Sequence, residues 1–433
     1  MTDHDTIASQ LAEIVGATHV SSAPADVDAY GGLEPLLVVW PGAASEVARV
    51  LRTCTELGVA VGVSACGTRA TRHWPVPDDR PRIALDTRRM LNILEVDELS
   101  LTVHSQCGIK LVHLEQALNR HGLTLGAYPA LIQRHTLGGI LAAPHPMAHS
   151  PGSGWLTEAC MGVSVANADG TVMHTRIAPR KATGPDMARL YLGSHGSLGV
   201  ITTAVLRVHR QPEQEVVRSY TFPDMAQSIE AARGILARGA RPARLRVLGK
   251  EQALVELEPS GVADSGAPVL GSLRESPGHG SGALLLVLAG PAALVAAEQR
   301  LADEAATAAG GRELSLAVGS RWWAREAGAA TESLPVPVGA RVCYADSRLM
   351  LASVPGSVQR RKVLVWAEEF TLQGFTLWTA FKEVNNRPTQ QAALMRSALL
   401  DAGLDPLRPD FPPLLDELRQ LLDPTQTLVV MEA

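Results

Sequence analysis

The sequence predicts an α+β protein of two domains, and three observations carry that reading. The chain has 433 residues, more than one ordinary hydrophobic core supports. Near its start, residues 36–40 form an apolar run closed by Pro41-Gly42, and residues 59–63 form another. Between them Val47, Val50, Leu51 and Cys54 recur at helical spacing, which makes a β-α-β unit. Beyond residue 211 the rhythm changes, and two further strand–helix–strand passes follow. They suggest a sheet covered on one face by helices.

In the first unit Ser45 is placed to cap the helix and Gly58 to stop it. The second strand runs straight into Ser64-Ala65-Cys66-Gly67-Thr68, a strand-end loop of the kind that meets anionic ligands. Strands are expected at 83–86, 93–96 and 101–105, with a helix over 109–120 that ends at His121-Gly122. Leu137-Gly138-Gly139 reads as a loop. It leads to a strand at 160–166, a hairpin turn at Asp169-Gly170 whose pair suits positive φ, and a short helix over 186–192. A glycine-rich turn, 193–199, feeds a long strand over 200–210. After the boundary at 211–214 come strand 216–222, helix 224–238 and strand 245–248. A Gly/Ser/Pro-rich tract at 259–282 reads as an exposed loop. Strand 283–289, helix 291–309 and strand 313–318 repeat the order, and helices are expected at 388–402 and 414–422.

Composition narrows the function. Aromatic residues are 4% of the chain against 46% hydrophobic, so Ala, Val and Leu must build the core. A net charge of −5 gives no electrostatic reason to expect nucleic acid or an anionic membrane as partner. No basic start, signal-like stretch or membrane-length apolar run is present, which reads as soluble and cytoplasmic. The five cysteines form no CxxC pair, so no zinc or iron–sulfur site, and no metal, is expected.

Several motifs fall in one order between residues 22 and 246: Ser22 to Tyr30, Pro41-Gly-Ala-Ala-Ser-Glu-Val47, Gly67-Thr68, and His135-Thr-Leu-Gly-Gly139. They continue with Pro179-Arg-Lys-Ala-Thr-Gly-Pro-Asp186, Gly193-Ser-His-Gly-Ser-Leu-Gly-Val-Ile-Thr202 and Arg241-Pro-Ala-Arg-Leu-Arg246. This set resembles the FAD-linked oxidases with a two-lobed flavin domain of the p-cresol methylhydroxylase type. It is most similar to the branch of alkyldihydroxyacetonephosphate synthase and the glycolate oxidase subunit. The resemblance implies a flavin domain over 1–210, an α+β substrate (cap) domain over 211–403, and a segment over 404–433 that returns toward the flavin domain. It implies FAD as cofactor, held by Pro41, Ser64, Ala65, Cys66, Gly67, Thr68, Arg69, Pro129, His135, Thr136, Gly138, Gly139, Ser153, Gly154, Gly196, Gly199, Val200 and Ile201. Glycine suits such loops because phosphate oxygens approach the backbone where no Cβ intervenes.

The chain departs from that family in three places. Its first loop has Ala65 and Cys66 where relatives carry glycine. After Leu141-Ala-Ala143 it has Pro144-His-Pro-Met-Ala-His149, and proline removes backbone donors. His145 and His149 read either as metal ligands or acid–base groups, or as part of an ordinary surface loop. No histidine follows His279, although relatives carry active-site histidines near the end of the chain; Lys382 to Arg387 fill the place. The remaining candidates for an anionic substrate are Arg244, Arg246, Arg325 and Arg341, with Tyr344, Lys382 and Glu383 for acid–base work. Each is also readable as a solvated charge, and Trp322 and Trp323 either line a pocket or pack. Three functions follow: an FAD-dependent oxidoreductase of a small alcohol, amine or hydroxy acid; a non-redox FAD enzyme of the synthase type; or a degenerate flavoprotein fold serving as a partner subunit. A homodimer is compatible with each.

Overall fold

The computed structural model describes residues 4–30, 35–64, 80–128, 130–143, 149–150, 152–179, 184–249, 282–326, 341–346, 349–353, 367–372, 375–380, 417–418 and 420–429. The strands between 341 and 380 are described by their backbone. The expected tract at 259–281 and the expected helix at 388–402 lie outside these residues.

The first lobe is a five-stranded sheet in the order Val20–Ser21, Leu37–Val39, Arg82–Asp86, Ala60–Ser64, Leu428–Val429. All neighbours are parallel except the first pair. Its three central strands are almost continuously apolar because both faces are covered. The helix Ala44–Leu57 turns Val47, Val50, Leu51 and Cys54 onto this sheet, beside Ile7 and Leu11 of the helix His4–Val15. Ser45 is not the cap. The helix starts two residues earlier, with Ala43 at its N-cap, and the Gly42 amide donates to the Glu46 carboxylate at 2.7 Å. Gly58 ends it in the left-handed conformation, at φ 68°. The helix His4–Val15 was not expected; its polar first residues hide the spacing of Ile7, Leu11 and Val15.

The second lobe is an antiparallel sheet in the order Val172–His174, Cys160–Ala166, Val200–Arg207, Thr102–Gln106, Ile93–Asp97. The helices Leu111–Asn119 and Leu137–Ala142 close its core. Leu137-Gly138-Gly139, expected as loop, is therefore the first turn of a helix, capped by the buried hydroxyl of Thr136. The lobes are not independent, since Ala166, Ala168 and Val200 of the second reach into the core of the first.

The cap is a four-stranded antiparallel sheet in the order Arg244–Gly249, Gly282–Gly290, Gln214–Phe222, Arg312–Glu313. Helices Met225–Ala237 and Ala292–Ala308 bury one face against Tyr220, Phe222, Leu284 and Leu286. The expected strand at 313–318 is a two-residue strand followed by a helix, Leu316–Glu326. That helix covers the opposite face, where Val318 and Trp322 pack on Leu248, Leu285 and Val287, so both faces are sheltered rather than one. A second antiparallel sheet has the order Arg341–Asp346, Leu349–Ser353, Phe375–Ala380, Ala367–Leu372. Among the described residues no helix is long and apolar enough to cross a membrane.

Candidate functional site

An open cleft lies where the strand ends of the first lobe meet the second lobe. Val63, Ser64 and Thr87 form one wall. The other is built by His135, Gly138, Gly139, Ala142 and Ala143 around the helix Leu137–Ala142, and by His195, Gly196, Gly199, Val200 and Ile201.

The first-lobe wall is fixed by a buried polar cluster. Ser64 and Asp86 are register partners at the ends of adjacent parallel strands, and the Thr87 amide donates to the Ser64 carbonyl at 3.2 Å. The fully buried Asp86 carboxylate accepts from the Tyr30 hydroxyl, from the Arg88 amide at 2.7 Å and from Arg88 Nε at 2.9 Å. Arg88 also donates to the Tyr30 hydroxyl at 2.7 Å and lies over the Trp40 ring. Burial, and then the neighbouring Asp86 charge, push the Tyr30 hydroxyl far above the ordinary tyrosine range, so it stays a donor at any physiological pH.

The second-lobe wall is fixed by backbone contacts. The turn at 193–196 is bolted to the helix's carboxyl end: the Gly193 amide donates to the Leu141 carbonyl at 2.9 Å, and the His195 amide to the Ala142 carbonyl at 2.8 Å. This holds His195 at φ 56°, an uncommon conformation for a residue with a Cβ, and Gly196 at φ 80°. At the helix's amino end the Leu137 amide donates to the Ile109 carbonyl, the Gly138 amide to the Cys107 carbonyl and the Gly139 amide to Thr136 Oγ1. All three amides that such a helix end offers to an anion are therefore used inside the protein.

Within the described residues no hydrogen bond occupies the hydroxyls of Ser64 or Thr87, nor the Gly196 amide. Together with the imidazoles of His135 and His195 these are polar groups that the cleft presents. The cleft thus lines a space between the lobes with scattered polar groups, and at Gly196 a ligand can approach the backbone closely. Side chains, more than the helix end, provide its polar contacts.

Of the residues expected to hold a cofactor, Ser64, His135, Gly138, Gly139, Gly196, Gly199, Val200 and Ile201 meet at this cleft. Pro41 is buried outside it, and Thr136 serves as a helix cap. Ser153 and Gly154 belong to a hairpin whose Ser150 hydroxyl donates to the Ala243 carbonyl of the cap at 2.5 Å, so that hairpin stands at the junction of the two domains. Ala65, Cys66, Gly67, Thr68, Arg69 and Pro129 lie outside the described residues, as do His145, Lys382 and Glu383. Sequence reasoning missed Val63, Thr87, Ala142 and Ala143. The strand-end rule would have reached Thr87, which directly follows a predicted strand.

Arg244 and Arg246 alternate with Leu245 and Val247, so both point to the sheet face that carries Leu248, away from the helix pair. Arg244 is buried, and its charge is felt by Tyr128 of the second lobe, whose hydroxyl burial pushes well up. Arg325 lies in the helix Leu316–Glu326. Arg341 and Tyr344 lie in the strand Arg341–Asp346, opposite Ser353 and Met350. Trp322 is a core residue, and Trp323 donates from Nε1 to Glu215 at 2.9 Å, so both tryptophans pack. Among the described residues no three His, Cys, Asp or Glu side chains are grouped to hold a metal.

The fold and cleft define a two-lobed α/β dinucleotide domain joined to an α+β cap. Residues 35–176 match the family model described as FAD binding domain. That match indicates FAD as the cofactor, and the chain is similar to FAD-linked oxidases. It is 27% identical over 220 residues to an alkyldihydroxyacetonephosphate synthase of Caenorhabditis elegans, a match covering 50% of this chain and 37% of that one. It is 28% identical over 261 residues to the Escherichia coli protein described as uncharacterized FAD-linked oxidoreductase YgcU, covering 57% of this chain and 54% of that one. The matched stretches thus span about a third to a half of these relatives' lengths. A solved alkyldihydroxyacetonephosphate synthase superposes with a TM-score of 0.73 at 18% identity, over 98% of this chain and 84% of that one, which shows the fold.

Proposed function

We propose that the protein is an FAD-dependent oxidoreductase that oxidises a small alcohol, amine or hydroxy acid bearing an anionic group. The observation that carries this is the pair Arg244 and Arg246, which share the cap-sheet face turned away from the helix pair. When bound, FAD supplies a hydride acceptor. The chain's own groups do the rest. Ser64 and Thr87 hydroxyls, the Gly196 amide and the imidazoles of His135 and His195 hold the cofactor along the cleft. Arg244 and Arg246, with Arg325 and Arg341, fix the substrate's anionic end, since paired guanidinium groups match carboxylate or phosphate geometry. Tyr344, Glu383 or Lys382 takes the proton that leaves the oxidised group. We assign 1–210 to the flavin domain, 211–403 to the cap and 404–433 to the returning segment, in a cytoplasmic protein with no nucleic-acid partner and no membrane span.

The test is optical. Purified protein should show the two-band flavin spectrum and bleach under anaerobic conditions when given a 2-hydroxy acid, more readily than with an uncharged alcohol of equal size. Arg246→Met should raise KM by about tenfold or more with kcat largely retained. Substrate consumed without bleaching would favour the non-redox chemistry of the synthase, to which the chain is similar. A colourless protein that ignores added FAD would overturn the enzyme reading in favour of a partner subunit.

A further inference from the structure

The carboxyl-terminal segment touches both lobes. Leu418 and Leu422 pack against the core of the second lobe. Six residues on, Leu428 is fully buried in the core of the first. Leu428–Val429 forms the edge strand of the first-lobe sheet, opposite Val61 and Gly62, and the Val61 amide donates to the Thr427 carbonyl at 2.6 Å. Val63 and Ser64, the next residues along that partner strand, line the candidate cleft.

The turn between the two anchor points is knitted by one carboxylate. Asp423 is 1% exposed. It accepts from the Thr427 amide at 2.8 Å, the Leu428 amide at 2.7 Å and the Thr425 hydroxyl at 3.3 Å. A charged acceptor holding two buried amides gives stronger hydrogen bonds than a neutral one. Arg80 clips the turn from outside, donating from its two terminal nitrogens to the carbonyls of Thr425 at 2.9 Å and Gln426 at 3.1 Å. Ser64 and Arg80 are the described residues on either side of 65–79, which contains Gly67. Both flanks of that stretch are therefore tied to the same turn, one through strand pairing and the other through Arg80.

We propose that residues 417–418 and 420–429 form a strap that fixes the two lobes against each other across the cleft, with Asp423 and Arg80 as positioning residues for the cofactor. The proposal rests on the cofactor reading above. A strap of this kind sets the width of the cleft and the place of Ser64 without touching the ligand. Weakening it lowers FAD affinity in a protein that is still folded.

The experiment measures FAD affinity of the full chain, stripped of flavin, by quenching of FAD fluorescence, alongside far-UV circular dichroism and Tm. Asp423→Asn should raise the FAD Kd about tenfold, and Arg80→Met about threefold, because its bonds are at the surface. Asp303→Asn is the control. Its carboxylate pairs with Arg218 and Tyr220 in the cap, so it should lower Tm and leave the FAD Kd unchanged. Folded Asp423→Asn and Arg80→Met proteins that bind FAD as tightly as wild type would overturn the strap. So would a control that weakens FAD equally. If Asp423→Asn does not fold, Arg80→Met decides alone. Wild-type protein that leaves FAD fluorescence unchanged overturns the cofactor reading and the strap with it; wild type that binds beside variants that bind equally overturns the strap only.

Discussion

The two walls of the candidate cleft are held by different physics. On the first-lobe side a single buried charge, Asp86, organises Tyr30, Arg88 and the strand end that carries Thr87. On the second-lobe side the wall is close-packed backbone. A Cβ at Gly138 would stand 3.0 Å from the Cys107 carbonyl oxygen, and one at Gly199 would stand 2.6 Å from Val165 Cγ1. Those glycines read from sequence as places for phosphate to approach. In the structure they are places where the protein approaches itself. Gly196 is different: its φ is 80° and a Cβ would meet nothing nearer than Val63 Cβ at 3.8 Å. The lesson is that a glycine in a cofactor motif can serve packing, conformation or ligand, and only its surroundings distinguish them.

The comparison can be broken most decisively at Gly199. Gly199→Ala should cost about 2–4 kcal/mol in urea unfolding, because Val165, the Ala166 carbonyl and Tyr191 all crowd the added methyl. Gly196→Ala should cost about 1 kcal/mol, a conformational penalty only. Equal costs at the two positions would sink the distinction between packing and conformational glycines.

On the charged wall, Asp86→Ala should cost about 2–3 kcal/mol, since it leaves the buried Tyr30 hydroxyl without its acceptor and Arg88 without its partner. Tyr30→Phe should cost about 1 kcal/mol, because it removes one hydrogen bond and leaves Asp86 paired with Arg88. If Tyr30→Phe proved the more damaging, the carboxylate would not be the organiser.

The smallest effect concerns pH. His209, beside the second-lobe sheet, is shifted below the ordinary imidazole range by burial and then by the Arg207 charge. A depressed histidine is neutral in the folded state while the unfolded chain takes up protons, so the unfolded state binds more of them. Its contribution to stability is present above about pH 6.5 and is lost as pH falls toward the lower folded value. His209→Gln should therefore show a shallower fall in Tm between neutral and mildly acidic pH than wild type. Parallel curves would remove His209 from the account.

Much of this molecule was legible before any coordinates. The helix Ala44–Leu57 followed from apolar spacing and a stop glycine, and Met225–Ala237 begins after Asp224, whose carboxylate caps it. Eight of the expected cofactor residues meet at one cleft, since strand-end loops and glycine turns announce themselves locally. What failed depended on distant neighbours. The helix Leu316–Glu326 replaced an expected strand because its apolar positions face a sheet surface that the local pattern does not reveal. Thr136 and Pro41 carry the motif's letters but point into the protein.

By itself the sequence determined most of the elements, the order of the motifs and the family that the chain resembles, because periodicity, capping and turn chemistry act over a few residues. Only the tertiary structure decided which amides of the helix Leu137–Ala142 are already satisfied, which face Arg244 and Arg246 share with Trp322, and that Leu428 ends beside Val61. Those outcomes join residues tens to hundreds of positions apart. No local pattern encodes such pairings; the competition for buried surface and hydrogen-bond partners in the assembled core settles them.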